Sequence, residues 1–180
     1  GRDYHEKNFA GIHGVTFQAA GCEAISTPPR DRIKDLSILP SPYLFGLFDD
    51  LMREPYDWQA VQETSVRGCP YGCDFCVWGP EAMSKLYQIP MERTLAEFAW
   101  FGHRGIRYLY SADANFGILA RDVEIVQALV STKAAYGYPQ EFRACTAKNS
   151  GKRVFEISNL LHAGGLHKGT TLSLQSLVGR

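Results

Sequence analysis

Three of the chain's five cysteines stand within eight residues, in the stretch VRGCPYGCDFCVWG: Cys69, then Cys73, then Cys76. Thiolates bind soft and borderline metals, chiefly zinc and iron–sulfur clusters. A closed structural zinc site takes four protein ligands, and a fully ligated 4Fe–4S cluster takes four cysteines. A fourth ligand here has to come from Cys22, Cys145, His103 or another distant residue, none of which sits in a second paired motif. Three thiolates on one loop leave one iron of a cluster open, and an open position is what a catalytic metal site keeps. Gly68, Gly72 and Gly79 permit tight turns around such a group, and Pro70 stiffens the loop. Phe75 and Trp78 either shield it from water or belong to the core.

A loop of this kind needs a frame. Residues 58–66 (WQAVQETSV) read as a strand that ends at the cysteines. Residues 91–105 read as a helix with Met91, Leu95, Phe98 and Ala99 on one face, stopped at Gly105. A strand follows over 106–112, and a helix over 118–137 with Val123, Val126, Leu129 and Val130 in register. A strand over 140–147, a helix over 152–165 and a strand over 169–177 complete the series. The order β-α-β-α-β-α-β, about four βα units, implies a parallel sheet with right-handed crossovers. In such folds ligands sit at the carboxyl ends of the strands. The candidate functional loops are therefore 68–79, 113–117, 148–151 and whatever follows Gln175, and the cysteines fall in this set.

Upstream, "GVTFQAA" (14–20) reads as a short strand. Pro28, Pro29, Pro40 and Pro42 then mark an extended connector, because each disfavours helix in the residue before it. It leads to an amphipathic helix over 44–54 that stops at Pro55.

With 45% hydrophobic and 21% charged residues, the chain has material for a core. Lys+Arg and Asp+Glu balance at 19 each, so nothing in the net charge calls for nucleic acid or an anionic membrane as partner. No apolar run approaches the roughly 20 residues that span a bilayer. Clustered thiols fit a reducing compartment, and the expectation is a cytoplasmic protein.

The stretch CPYGCDFC resembles the signature loop of radical S-adenosylmethionine (SAM) enzymes, with Phe75 in the aromatic place. The resemblance implies that Cys69, Cys73 and Cys76 hold a 4Fe–4S cluster whose open iron chelates the methionyl part of S-adenosyl-L-methionine. Reductive cleavage then gives a 5′-deoxyadenosyl radical. The implied fold is α/β, a full or partial parallel βα barrel. LSILPSPYLFGLFDDLM, SADANFGILARDVEIVQALV and LHKGTTLSLQSL are similar to the cobalamin-dependent subgroup. On that likeness, residues 1–25 are the tail of a Rossmann-like cobalamin-binding domain, 26–57 a connector, and 58–180 the first part of the radical core. The chain is then expected to be a fragment that stops inside a barrel, with cobalamin bound through a domain mostly absent from it. The implied partners are a small-molecule or peptide substrate and an electron donor such as flavodoxin or ferredoxin.

Phe75, by its motif place, is expected near the adenine. Many members of the family carry Gly-Gly-Glu after the second strand to bind the methionyl amino group. Here "DANFG" stands there, which makes Asp113 and Asn115 the substitutes. Asp113 equally suits a cap for the helix near Ile118. Lys148 and Asn149 are either cofactor contacts or a solvated loop. Gln175 alternates with Thr171 and Ser173 on the last strand and is the residue expected to face a barrel cavity. His5, in DYHEKN, imitates an axial cobalamin ligand but lacks the following glycine and reads as a surface residue. Cys22, Cys145 and the other histidines read as structural or spare. Three functions compete: a cobalamin-dependent methyltransferase acting on carbon or phosphorus, a related enzyme performing a rearrangement, oxidation or cyclisation, and a non-catalytic zinc or iron–sulfur module.

Overall fold

The computed structural model describes residues 9–18, 24–73, 76, 85–148 and 151–167. The chain divides into two compact units, Gly1–Lys34 and Asp35–Arg180. The division falls inside the proline-rich segment 26–57.

The first unit holds a hairpin. β1 (Thr16–Gln18) pairs antiparallel with β2 (Ala24–Ser26), and Thr16 lies opposite Ser26. Their hydroxyls are 2.9 Å apart, a cross-strand hydrogen bond of the kind that helps fix register.

The second unit alternates strands and helices. Its elements are β3 (Gln59–Gln62), β4 (Val66–Arg67), β5 (Tyr87–Gln88), α1 (Met91–His103), β6 (Tyr108–Phe116), α2 (Arg121–Tyr136), β7 (Glu141–Thr146) and α3 (Gly151–Ala163). β3, β6 and β7 form a parallel sheet in chain order, with Gln59 opposite Tyr108 and Tyr108 opposite Glu141. The parallel βα order expected from periodicity is present in these elements. The strand expected over 169–177 lies outside the described residues.

The helices owe their seating to spacing. The buried residues of α1 include Thr94, Glu97, Phe98 and Phe101, and those of α2 are Asp122, Ile125, Val126 and Leu129. Both sets run i, i+3, i+4, i+7, one stripe of a helix. The apolar members meet Leu109, Phe116 and Phe142 of the sheet in one core. Burying each such Phe or Leu stabilises the fold by about 1.5–3 kcal/mol before cavity effects. Gly137 ends α2 at φ +78, its N–H on the Lys133 carbonyl at 2.7 Å. The left-handed conformation there suits glycine.

Three expectations need correction. Residues 44–54 are not an α-helix. They form successive turns and a 3₁₀ turn at Leu51–Arg53, because Gly46 takes φ +79 and interrupts the helical path. The strand expected over 58–66 breaks after Gln62 and resumes at Val66. The strand expected over 106–112 runs on to Phe116. Among the described residues no helix is long and apolar enough to cross a membrane.

Candidate metal centre

The break in the first strand builds the base of the cysteine loop. The backbone N–H groups of Thr64 and Ser65 each donate to the Asp113 carboxylate at 2.8 Å, and that of Val66 at 3.1 Å. Asp113 sits on β6 and is 2% exposed. Its two oxygens take amides that would otherwise need a ladder partner. Just past this point Val66 pairs with Gln88 and Arg67 with Tyr87, and the Ile89 N–H donates to the Ser65 carbonyl at 2.9 Å. The chain thus departs after Arg67 and returns at Tyr87 through a narrow neck. Gly68, at φ +113, makes the turn into Cys69 with a backbone that side chains rarely allow.

Further buried polar groups secure the neck. Ser65 donates its hydroxyl to Asp122. Asp122 also accepts the N–H groups of Gly117 at 2.8 Å and Leu119 at 3.0 Å, closing the turn that opens α2. The Thr94 hydroxyl donates to the Thr64 carbonyl at 2.8 Å. Gln62 donates to Glu97 at 2.6 Å, and Glu97 pairs with Arg93 at 2.9 Å. Downstream of the loop, Arg121 donates to the Gln88 side chain at 2.9 Å. Burial pushes Asp113 up to about 6, against the pull of its three N–H donors, and the Asp122 charge adds a smaller push.

Cys69 and Cys73 are half-buried, Cys76 is exposed, and all three are free thiols. The Asn115 side-chain amide donates to Cys69 Sγ at 3.1 Å. The Cys76 N–H donates to the Cys73 carbonyl at 3.0 Å. Among the described residues no three His, Cys, Asp or Glu side chains are grouped so as to hold a metal ion. The donor set itself fits an iron–sulfur group: three free thiols on one loop, one of them already receiving an amide N–H. Phe75, Trp78, Asn149, Gln175, His5 and Cys22 lie outside the described residues.

Asp113 and Asn115 both sit at the carboxyl end of β6, beside the cysteine loop. Asp113 does not cap α2: the N-cap position is Ala120, with no side-chain cap bond, and Asp122 in the first turn instead holds the residues before the helix. A cavity of about 600 Å³ opens on the sheet, lined in part by Tyr108, Tyr110, Arg143, Cys145 and Lys148. Asp113 and Asn115 are not among its lining residues; Ala114, between them, is. Cys145 is exposed rather than buried and lies 3.2 Å from the Tyr110 hydroxyl. That contact, with some burial, raises the Tyr110 hydroxyl above its ordinary value. Arg143 is paired with Glu141 at 2.8 Å. The His103 ring packs at a tilt against Tyr136, with centroids 4.4 Å apart.

Sequence reasoning missed Ser65, Thr94, Glu97 and Asp122. A signal existed for three of them. Thr94, Glu97 and Asp122 stand at core positions of the helical spacing, where an unpartnered polar side chain would be expensive.

No protein-family model matches the chain. A curated relative from Streptantibioticus cattleyicolor, 2-(S-pantetheinyl)-carbapenam-3-carboxylate methyltransferase, is 44% identical over 173 residues, covering 94% of this chain and 25% of that protein. The cobalamin-dependent radical SAM methyltransferase TokK of Streptomyces tokunonensis is 40% identical over 173 residues, with the same coverage. Along nearly its whole length the chain is similar in sequence to these two methyltransferases. It spans about a quarter of the length of these relatives. The fold of the chain is similar to an apo structure of OxsB, a cobalamin-dependent S-adenosylmethionine radical enzyme. The TM-score is 0.51 at 16% identity, over 89% of this chain and 24% of that one.

Proposed function

We propose that the chain carries the cluster-binding part of a radical SAM enzyme, a cobalamin-dependent methyltransferase. The observation that carries this reading is the loop of three free thiols held at its neck by Asp113. Its cysteine spacing supports an iron–sulfur ligand set, and two methyltransferases align along nearly the whole chain.

Cys69, Cys73 and Cys76 hold the 4Fe–4S cluster. When bound, the cluster supplies the electron that cleaves the carbon–sulfur bond of S-adenosyl-L-methionine, leaving methionine and a 5′-deoxyadenosyl radical. The protein's own work is positioning. Asp113 fixes the neck of the loop, and Asp122 ties the neck to the first turn of α2. β3, β6 and β7 begin a parallel βα barrel, and the cavity lined by Tyr110, Arg143 and Lys148 belongs to its interior. Phe75 and Gln175 contact the cosubstrate on the strength of motif place and strand alternation. Cobalamin, an electron donor of the flavodoxin or ferredoxin class, and a small-molecule or peptide substrate complete the proposed enzyme.

The test is anaerobic reconstitution of the full-length protein with iron and sulfide. The expected content is about four irons and about four sulfides per chain, with 5′-deoxyadenosine formed from S-adenosyl-L-methionine under reduction. Single Ala substitutions at Cys69, Cys73 or Cys76 should abolish both, while Cys145→Ala should keep them. Metal released by Cys145→Ala would mean a fourth protein ligand and sink the radical reading. Labelled methyl recovered in product separates methyl transfer from rearrangement.

A further inference from the structure

We propose that Asn115 is a positioning residue for Cys69, which it serves by donating a hydrogen bond to the ligating sulfur and thereby raising the reduction potential of the cluster. The inference rests on the cluster reading above and adds a residue role to it.

The argument begins with burial. Asn115 is 4% exposed, and its amide nitrogen lies 3.1 Å from Cys69 Sγ. A buried amide needs partners. A neutral thiol is a weak acceptor, whereas a thiolate bound to metal carries the negative charge that strengthens such a bond. The side chain is therefore better matched to the ligated sulfur than to the free thiol. Among the described residues Cys69 is the loop cysteine that receives a side-chain N–H.

The donor is also held in place from both sides. Two residues earlier, Asp113 is bound to three backbone amides of the neck. The Ile118 N–H donates to the Asn115 carbonyl at 3.2 Å, and Ala147 donates to that of Phe116 at 2.8 Å. Phe116 is 1% exposed in the core. One strand thus sets both the origin of the loop and the position of the donor to its first cysteine. Reduction adds negative charge to the cluster, and a hydrogen bond to a ligating sulfur favours that state.

The experiment compares full-length wild type with Asn115→Leu, similar in size without a donor, and Asn115→Asp, similar in shape without a donor. Each is reconstituted anaerobically. Iron content and the midpoint potential, from titration followed by electron paramagnetic resonance without cosubstrate, are measured alongside S-adenosyl-L-methionine affinity. Iron content should match wild type, and the potential should move to more negative values in both variants, further in the charged one. Unchanged potentials would overturn the inference. If affinity also fell tenfold or more, Asn115 would be a direct cosubstrate contact instead. Iron lost from both variants would overturn it too, since a donor to one sulfur is not needed to hold a cluster on three thiolates. Wild type that takes up no iron would instead sink the reading of the cluster itself.

Discussion

Asp113→Asn should change how stability depends on pH, and in a stated direction. The carboxyl is held at about 6 in the fold against 3.8 as its ordinary value, with burial as the main cause. A raised carboxyl pKa means that the fold prefers the neutral acid. Its contribution to stability is present in full below pH 3.8 and is lost as pH rises through about 6. The separation corresponds to about 3 kcal/mol. Asn keeps the shape but puts an amide NH₂ where N–H groups already point. It therefore loses at least one bond from the neck, a loss of about 1–3 kcal/mol that does not vary with pH. Urea unfolding of both proteins, followed by tryptophan fluorescence between pH 4 and pH 7, isolates the effect because other groups cancel in the difference. Wild type should lead by most near pH 4, and its lead should shrink by about 2.4 kcal/mol by pH 7, enough to close or reverse it. A constant gap would show that Asp113 does not titrate in this range. A gap that widens with pH would mean that the three N–H donors outweigh burial, which would refute the reasoning.

Asp122→Ala removes the acceptor for two backbone N–H groups and the Ser65 hydroxyl. The same urea assay should show a loss of about 2–4 kcal/mol, with Asp122→Asn recovering part of it. Gly164→Ala places a Cβ 2.7 Å from Val130 Cγ2 and 2.9 Å from its Cγ1. Val130 is β-branched within a helix and cannot turn aside, so about 1–3 kcal/mol should be lost. Val130→Ala in that background should cost less than it does alone, a non-additivity read from a double-mutant cycle.

The alternation of strands and helices was legible because periodicity is local. Apolar stripes at helical spacing mark α1 and α2, and glycines at 105 and 137 end the helical runs with positive φ. The cysteine loop was legible because the spacing of Cys69, Cys73 and Cys76 is itself the signal. The strand break at 63–65 was not legible, since its cause, Asp113, is nearly fifty residues away. The turns over 42–50 defeated a local reading for a different reason. Leu44, Leu47 and Leu51 repeat at helical spacing, yet each is exposed and Gly46 directs the chain out of the helix. Residues 113–117 were read as a loop after the second strand, but Asp113 and Asn115 lie on β6 itself, and their tasks depend on which face each one takes.

That facing explains why β6 connects the core to the cysteines. Leu109, Ser111, Asp113 and Asn115 are all buried, and they grade from apolar to polar towards the carboxyl end. Tyr108, Tyr110 and Ala114, alternating with them, line the cavity. A single strand therefore anchors in the core, fixes the neck and reaches Cys69. Among the described loop residues Gly68 supplies the turn into Cys69, and the loop is attached through the neck. The residue types follow from this. Three backbone N–H groups converge at the neck, and a carboxylate is the side chain that accepts from all of them without adding a donor of its own. At the sulfur the need is reversed, and an amide supplies the N–H that a carboxylate lacks. The difference between Asp113 and Asn115 is thus a difference between what each has to bind, and exchanging the two should damage both the neck and the sulfur contact.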